Sequence, residues 1–223
     1  MQEPRFVQRL FGTIAHRYDL ANHLLSGGLD FFWRRRVARI VQSWNPERIL
    51  DLATGSGDVA LTLRKHCPKA QIVGADFCVP MLRESLRKNA ATVVAADGLA
   101  LPFATAAFDV VTVAFGLRNM ASWQGALSEI HRVLKPGGHV LILDFSVPPA
   151  PLRWLYRPYL HYVLPQIAGL LTGERSAYEY LGDSIEKFPA GAQMCALLEE
   201  AGFDEPGVET LSGGIVSLYT AQV

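Results

Sequence analysis

The sequence predicts an α/β protein with a mostly parallel sheet, and three observations lead to that prediction. An apolar run over residues 49–53 ends in a turn that contains Gly55 and Gly57 and leads into a helical stretch. Four more apolar runs alternate with helical stretches as far as Phe145, as in a sheet wound with right-handed crossovers. Half of the 223 residues are hydrophobic, which is enough to fill a sizeable core.

The predicted elements of the first part of the chain follow in a regular order. Helices over residues 6–44, broken at Gly27-Gly28, precede the first strand. The strands then cover residues 49–53, 71–76, 92–96, 108–115 and 139–145, and the helices between them cover 59–66, 80–89 and 122–134. Residues 135–138, with the sequence Lys-Pro-Gly-Gly, are expected to stop the last of these helices before the fifth strand begins.

The pattern changes after Ser146. Five prolines interrupt an aromatic, apolar segment that runs to Leu171, and helices over residues 178–186 and 192–201 follow. Runs over 207–211 and 215–221, on either side of Gly213-Gly214, predict a terminal hairpin. We therefore expect one domain: a helical cap (1–46), an α/β core (47–146), an insertion (147–190), and a final helix and hairpin (191–223).

Composition excludes several classes of protein. Lys plus Arg and Asp plus Glu both number 21, so no net charge attracts nucleic acid. Three cysteines without CxxC spacing are typical of reduced thiols in a cytosolic protein, and no cluster has the spacing of metal ligands. No signal pattern and no run of ~18 apolar residues is found. We expect a cytoplasmic protein without a metal or a nucleic-acid partner.

The glycine turn and three acids define a candidate binding crevice. Gly55 and Gly57 permit unusual dihedrals and close approach to the backbone, and Ser56 or Asp58 is expected to cap the next helix. Asp51, Asp76 and Asp97 come at or just beyond strand ends, which meet at one edge of a parallel sheet. Asp76 follows the turn by about 20 residues, the spacing of an acid that accepts hydrogen bonds from ribose.

The charge of this crevice favours S-adenosyl-L-methionine over a dinucleotide. A dinucleotide fingerprint would have a third glycine where this chain has Ala60. Asp51 and Asp58 bracket the turn with negative charge, which disfavours a pyrophosphate and favours a cation. S-adenosylmethionine carries a sulfonium, an ammonium and a ribose but no phosphate. Asp97 and Gly98 suit contacts to its adenine.

Four stretches of the chain carry a resemblance to a known family. They are residues 11–33, with Tyr18-Asp19, Ser26 and Trp33; Phe-Gly-Leu-Arg-Asn at 115–119; Arg-Val-Leu-Lys-Pro-Gly-Gly at 132–138; and 178–189, with Tyr180-Leu181 and Phe188-Pro189. The chain resembles class I methyltransferases, and more narrowly the ubiquinone/menaquinone biosynthesis C-methyltransferases of the UbiE/MenG type. The resemblance implies a Rossmann-like, mostly parallel seven-stranded sheet with an N-terminal helical cap and a helical insertion between strands five and six.

The resemblance also implies an activity and a set of site residues. The activity is methylation of a ring carbon of a demethylated polyprenyl quinol, either a naphthoquinol or a benzoquinol. The implied cofactor contacts and turn residues are Ser56, Asp76, Asp97, Gly98, Asp51, Gly55 and Gly57, with Ala114 where the family has serine. Tyr18, Arg118 and Asn119 match positions that face the substrate. The chain also has Asp30 where the family often has histidine, and Asp144 in place of glutamate.

In the implied mechanism, loss of the quinol hydroxyl proton makes the ortho ring carbon nucleophilic. Arg118 is too basic to take that proton, so it would stabilise the phenolate; the alternative is that it pairs with a carboxylate and closes the site. Asn119 would orient the ring oxygen, and Tyr18 or Asp19 would share in a proton relay.

Several readings stay open at the level of the sequence. The aromatic segment over residues 154–171 is either an apolar lid for the isoprenoid tail, with peripheral membrane contact, or a completion of the core. The arginines at 34–36 and 39 are either a solvated helix face or a patch for anionic lipid. Other functions to weigh are methylation of another lipid or phenol, a dinucleotide oxidoreductase, and a non-catalytic cofactor-binding subunit. A homodimer is left open.

Overall fold

A computed structural model describes residue 23 and residues 26–172 and 175–223. The first long helix, α1 (Leu29–Ser43), begins at Gly28, whose φ of 80° is left-handed and suits glycine. Gly27 also has a positive φ, of 59°, so the predicted break at Gly27-Gly28 is confirmed. Helix α1 buries Trp33, Val37 and Val41.

Seven strands form one sheet. They are β1 (Arg48–Leu52), β2 (Gln71–Asp76), β3 (Thr92–Ala95), β4 (Phe108–Ala114), β5 (Leu134–Phe145), β6 (Asp204–Leu211) and β7 (Val216–Gln222). Their order is β3-β2-β1-β4-β5-β7-β6, and β7 is antiparallel to both neighbours while the pairs among β1 to β5 are parallel. The mostly parallel sheet and the terminal hairpin, predicted from the sequence, are both confirmed.

Helices cover both faces of the sheet. They are α2 (Asp58–His66), α3 (Val79–Arg87) and α4 (Trp123–Val133), followed later by α8 (Ala192–Glu200). One buried cluster joins α4 and α8 to one face of the sheet, and another joins α1 and α2 to the other face. Ser122 caps α4, because its side chain accepts a hydrogen bond from the Gly125 N–H at 3.0 Å.

A helical segment separates β5 from the terminal helix and hairpin. It consists of α5 (Leu152–Pro158), a π-helical turn (Tyr159–Val163), α6 (Leu164–Thr172) and α7 (Arg175–Lys187). This segment has a small core of its own, built from Tyr156, Leu160, Leu164, Ala168, Tyr178 and Ile185. Other apolar side chains are exposed, Trp154 by 73%, Leu155 by 74% and Tyr162 by 71%. The buried side chains of this segment fit the reading as core, and the exposed ones fit the reading as an apolar lid or a membrane contact.

One local prediction is confirmed in part, and another was wrong. Helix α4 stops at Val133, just ahead of the 135–138 stretch as predicted, but β5 begins at Leu134 and not at His139. The stretch is an irregular part of that strand: Gly137 is left-handed, with a φ of 75°, while its N–H donates to the Val223 carbonyl and the Val223 N–H donates to the Gly138 carbonyl. Neither Ser56 nor Asp58 caps α2: the N-cap residue is Gly57 and no side chain accepts a cap hydrogen bond. Asp58 is the first helical residue, and its carboxylate is engaged in ion pairs instead.

Among the residues that the structure describes, no helix is long and apolar enough to cross a membrane. The same residues contain no group of three or more His, Cys, Asp or Glu side chains that could hold a metal ion.

Candidate active site

An open cavity lies at the carboxyl ends of β1, β2 and β4. Its empty volume is about 750 Å³ when the open, solvent-filled mouth is included. The lining comes from the turns after these strands, from α1 and from the starts of α2 and α3: Arg34, Asp51, Ala53, Thr54, Gly55, Ser56, Asp58, Val59, Asp76, Phe77, Cys78, Met81, Ala114, Phe115, Gly116 and Asn119.

The glycine turn brings backbone, with little side chain, to this cavity. Gly55 and Gly57 have φ of 56° and 85°, so both take the left-handed conformation that glycine permits. A Cβ at Gly57 would lie 2.4 Å from Oγ of Ser85. Ser56 is 4% exposed and lines the cavity beside them. Gly57 is therefore required by the packing of the turn against Ser85 of α3, and Gly55 and Ser56 are the residues that face the cavity. The predicted contact of this turn with the cofactor remains a prediction.

Asp76 closes β2 and is fixed by the turns on either side of it. Its Oδ2 accepts the Gly55 N–H at 2.8 Å, and its Oδ1 accepts the Cys78 N–H at 2.8 Å. Burial raises the pKa of Asp76, and these backbone N–H groups act in the opposite direction. A carboxylate offers about four lone pairs, so both oxygens retain capacity for further donors such as the hydroxyls of a ribose.

Asp51 is a second buried acid that lines the cavity. Thr54 Oγ1 donates to its Oδ2 at 2.6 Å, and Thr112 Oγ1 donates to its Oδ1 at 2.8 Å. Burial raises the pKa of Asp51 to about 6, while the two threonine hydrogen bonds lower it and the charge of Asp76 raises it. Two carboxyls so close to each other suit a cationic ligand and disfavour a phosphate.

Arg34 corrects one reading of the arginine cluster. Its side chain is 9% exposed and lines the cavity, with Nη1 2.7 Å from Asp30 Oδ2 and 3.2 Å from Asp58 Oδ2. Arg36 pairs with Glu209, and only Arg35 and Arg39 of the four arginines are exposed. A solvated face or a lipid patch therefore does not describe Arg34.

The remaining predicted cofactor residues divide into two groups. Ala114 lines the cavity at the end of β4. Asp97 and Gly98 do not line it: the Asp97 side chain is exposed and accepts the Leu99 N–H at 2.9 Å. A Cβ at Gly98 would lie 3.0 Å from Sδ of Met120. The predicted contacts of Asp97 and Gly98 with adenine remain predictions.

Arg118 lies in a 3-10 turn (Leu117–Asn119) that directly follows the cavity-lining Phe115 and Gly116. It is 3% exposed, and its Nη1 donates to Asp144 Oδ1 at 2.6 Å and to the Phe115 carbonyl at 2.6 Å. Burial raises the pKa of Asp144, and the charge of Arg118 acts in the opposite direction. Of the two readings of Arg118, the pairing with a carboxylate is the one that the structure contains.

Asn119 is the member of this turn that lines the cavity. Its Nδ2 donates to the Phe115 carbonyl at 3.3 Å, and its Oδ1 accepts the hydroxyl of Tyr180 at 3.2 Å. Tyr180 comes from α7, so the insertion reaches the site through this contact. Sequence reasoning had used Tyr180 only as part of a family motif, and it had missed Arg34 as a cavity residue. Tyr18 and Asp19 lie outside the described residues.

The fold has close counterparts among solved structures. A methyltransferase from Thermotoga maritima matches with a TM-score of 0.69 and 17% identity, over 96% of this chain and 98% of that one. The phosphoethanolamine N-methyltransferase 2 of Haemonchus contortus, solved with S-adenosyl-L-methionine, matches with a TM-score of 0.57 and 17% identity, over 79% of this chain and 48% of that one. These similarities concern the fold.

The sheet order, the glycine turn and the acid-lined cavity define a class I methyltransferase that depends on S-adenosyl-L-methionine. The model of the ubiE/COQ5 methyltransferase family matches residues 1–222. The chain belongs to the ubiE/COQ5 methyltransferase family.

Two curated relatives illustrate the range of names in this family. The demethylmenaquinone methyltransferase of Thermus thermophilus is 46% identical over 94% of this chain and 98% of its own length. The ubiquinone/menaquinone biosynthesis C-methyltransferase UbiE of Syntrophotalea carbinolica is 45% identical over 95% of this chain and 91% of its own length. The family resemblance inferred from the sequence motifs is therefore confirmed.

Proposed function

We propose that this enzyme transfers a methyl group from S-adenosyl-L-methionine to a ring carbon of a demethylated polyprenyl naphthoquinol. The observation that carries the proposal is the turn over residues 115–119, which holds the polar side chain of Asn119 at the edge of the cofactor cavity. Support for the naphthoquinol comes from relatives named demethylmenaquinone methyltransferase in Thermus and in Deinococcus, 46% and 41% identical.

When bound, the cofactor supplies an electrophilic methyl group on a positively charged sulfur. The acceptor carbon becomes nucleophilic once the neighbouring hydroxyl has lost its proton. Asn119 is placed to orient the ring oxygen, because its amide lies at the β4 side of the cavity and is held by Phe115 and Tyr180. A fixed amide limits the positions that the ring can take, which is how positioning lowers a barrier.

Arg118 acts as a positioning residue in this proposal. Its guanidinium is directed at Asp144 and the Phe115 carbonyl and is almost fully buried, so it braces the turn that carries Asn119. Its charge also lies close enough to Tyr156 and Tyr180 to oppose the effect of burial, which raises the pKa of both. The predicted contribution of Tyr18 or Asp19 to a proton relay belongs to the same proposal.

The direct test is a product assay with both quinol classes. The purified protein is incubated with methyl-labelled S-adenosylmethionine and either demethylmenaquinol or the corresponding demethylated benzoquinol, and the products are identified by mass spectrometry. We expect label on the naphthoquinol ring carbon. Label on the benzoquinol alone would move the proposal to the ubiquinone branch, and label on neither would refute it.

The insertion supplies the surface that we propose meets the membrane in which a polyprenyl quinol resides. Trp154 and Leu155 of α5 and Tyr162 of the π-helical turn are each more than 70% exposed, and the exposed Arg153 and Arg157 lie among them. Exposed aromatic groups with flanking cations favour an interface with anionic lipid. The protein itself would be cytoplasmic, as the sequence predicts.

Co-sedimentation with vesicles of phosphatidylcholine and phosphatidylglycerol tests this surface. The Trp154→Ser, Leu155→Ser double variant removes enough apolar area to lower partitioning by roughly tenfold or more. Val208→Ser is a matched control, because Val208 is an exposed apolar residue of β6, outside the insertion. Equal partitioning of the double variant and the native chain would exclude this surface.

A further inference from the structure

Arg34 is distinguished from its neighbours by its charge. Among the described residues that line the cavity, the acids are Asp51, Asp58 and Asp76, and Arg34 is the cation. The three acids suit the positive charges of the cofactor, but Arg34 does not. A negatively charged group on the same ligand would account for an arginine at this position.

The sheet order and one ring contact place the start of α1 relative to Asp76. Asp76 ends β2 on one side of β1, whereas β4 lies on the other side. Trp33 lies with its ring centroid 6.0 Å from that of Phe115, which directly follows β4, so this part of α1 lies beside the turn after β4. Arg34 itself reaches the first residue of α2, where its Nη1 is 3.2 Å from Asp58 Oδ2.

The ion pairs of Arg34 fix its guanidinium and involve one of its three nitrogens. Both of its ion pairs, with Asp30 and with Asp58, are made through Nη1. Asp58 also accepts from Lys88 Nζ at 2.7 Å, and Asp30 accepts from the Ser26 hydroxyl at 2.9 Å and pairs with His23. An arginine has five N–H donors in a planar fork that matches a carboxylate.

We propose that Arg34 binds the carboxylate of the methionine moiety of the cofactor. S-adenosylmethionine has one anionic group, this carboxylate, at the end opposite its adenosine. With the ribose hydroxyls on Asp76, that end extends towards Arg34, while Asp51 and Asp58 suit the sulfonium and the ammonium. Asp30 and the Nη1 contacts orient the fork. The inference rests on the cofactor and is independent of the quinol acceptor.

A ligand pair that differs only in the carboxylate tests the proposal by calorimetry. S-adenosylhomocysteine and its decarboxylated form are titrated into the native protein and into Arg34→Gln. The native protein should prefer S-adenosylhomocysteine by roughly 10- to 100-fold, the size of a charge-assisted hydrogen-bonded pair. The variant should lose that preference and bind the decarboxylated ligand within about threefold of the native value.

Two further variants keep the result clear. Arg39→Gln makes the same change at an exposed position of the same helix and should leave both affinities unchanged. Arg34→Lys keeps the charge without the fork and should retain part of the preference. Should Arg34→Gln fail to fold, the native protein alone decides, since equal affinity for the two ligands would overturn the proposal. An equal loss for both ligands in the variant would overturn it as well, and would assign Arg34 to holding the helices together.

Discussion

Arg118 and Asp144 form an ion pair inside the protein, with Nη1 2.6 Å from Oδ1 and both side chains less than 5% exposed. The two residues are 26 positions apart, on the turn after β4 and at the end of the neighbouring β5. The same Nη1 holds the Phe115 carbonyl, to which Asn119 also donates. The pair therefore locks the backbone that carries Asn119 at the cavity edge.

Arg118→Lys should lower kcat by roughly 10- to 100-fold and leave the affinity for S-adenosylhomocysteine unchanged. Lysine keeps a cation beside Asp144, but its ammonium does not reproduce the fixed direction of the Nη1 that also reaches the Phe115 carbonyl, so the turn is less precisely placed. Turnover is measured with the methyl-labelled cofactor and binding by calorimetry. A parallel loss of cofactor affinity would contradict a role confined to positioning the acceptor.

Asp144→Asn is the companion change and should mainly affect stability. It leaves the guanidinium of Arg118 buried without its counter-charge, which costs about 3–5 kcal/mol in comparable pairs. Chemical denaturation measures that cost. Replacement of both members by apolar residues, Arg118→Met with Asp144→Leu, should recover part of the stability while turnover stays low, which would separate packing from function.

Tyr180→Phe should lower kcat by roughly fivefold, because it removes one hydroxyl hydrogen bond, to Asn119 Oδ1, without changing the shape of the ring. Tyr219→Phe is the matched control, because it removes a hydroxyl that accepts the Gly191 N–H outside the cavity, and it should leave kcat unchanged. An unchanged kcat in Tyr180→Phe would mean that the insertion does not help to hold the amide of Asn119.

Asp76→Asn should weaken binding of S-adenosylhomocysteine by roughly 100-fold. The carboxylate accepts N–H groups on both oxygens, so an amide NH₂ in place of one oxygen would face the N–H of Gly55 or Cys78 and lose acceptor capacity for a ribose. Asp97→Asn, at the exposed acid, should cost less, about three- to tenfold. Unchanged affinity in Asp97→Asn would remove Asp97 from the adenine contacts predicted by the family resemblance.

The sheet and the glycine turn were predictable because their signals are local. Buried parallel strands are apolar runs, and Gly55 and Gly57 mark a left-handed turn wherever they occur. The Arg34 environment had a signal that was overlooked: Arg34, Val37, Ala38 and Val41 fall at i, i+3, i+4 and i+7, and all are buried on one face of α1. Reading the arginines as a single cluster concealed this period.

Other features depend on register, which the sequence does not state. The approach of Asp144 to Arg118 requires that Ala114 pair with Leu143, so that the residues after β4 lie beside the end of β5. The inclusion of the 135–138 stretch in β5 depends on the far terminus, where Val223 supplies hydrogen-bond partners. The Pro-Gly-Gly run still bends the backbone, since Gly137 is left-handed and the register between β4 and β5 shifts there, but the long-range backbone bonds keep the stretch within the strand.

The raised pKa of Asp51 predicts that an increase in pH lowers the stability of the fold and strengthens cofactor binding. Its pKa is about 6 in the folded protein, above the ordinary value of 3.8, because burial penalises the charged form. The folded state therefore holds more protons than the unfolded state between pH ~4 and ~6, and the contribution of Asp51 to stability falls as pH rises through that window. The cationic cofactor favours the deprotonated form, so its affinity should rise up to tenfold per pH unit below about pH 6 and then level off.

Calorimetric titration with S-adenosylmethionine between pH 5 and 8 measures this dependence. In Thr112→Val the carboxyl loses one donor, so its pKa should rise and the point at which the affinity levels off should move to higher pH. In Asp51→Asn the rise with pH should disappear. A native profile that is flat across pH 6 would show that Asp51 does not face the positive charge of the cofactor.

The close contact between Gly116 and Ala53 predicts that a substitution at Ala53 will compensate for one at Gly116. A Cβ at Gly116 would lie 2.4 Å from the Cβ of Ala53, so Gly116→Ala should destabilise the fold and distort the turn that carries Arg118 and Asn119. Ala53 itself has a φ of 55°, a left-handed conformation that costs about 1 kcal/mol for a residue with a Cβ. Ala53→Gly removes both that strain and the colliding methyl group.

The Ala53→Gly, Gly116→Ala double variant should therefore be more stable to thermal unfolding than the Gly116→Ala single variant. It should also recover most of the methyl-transfer activity that Gly116→Ala loses. Simple addition of the two single effects would mean that the contact between these turns does not determine the requirement for glycine.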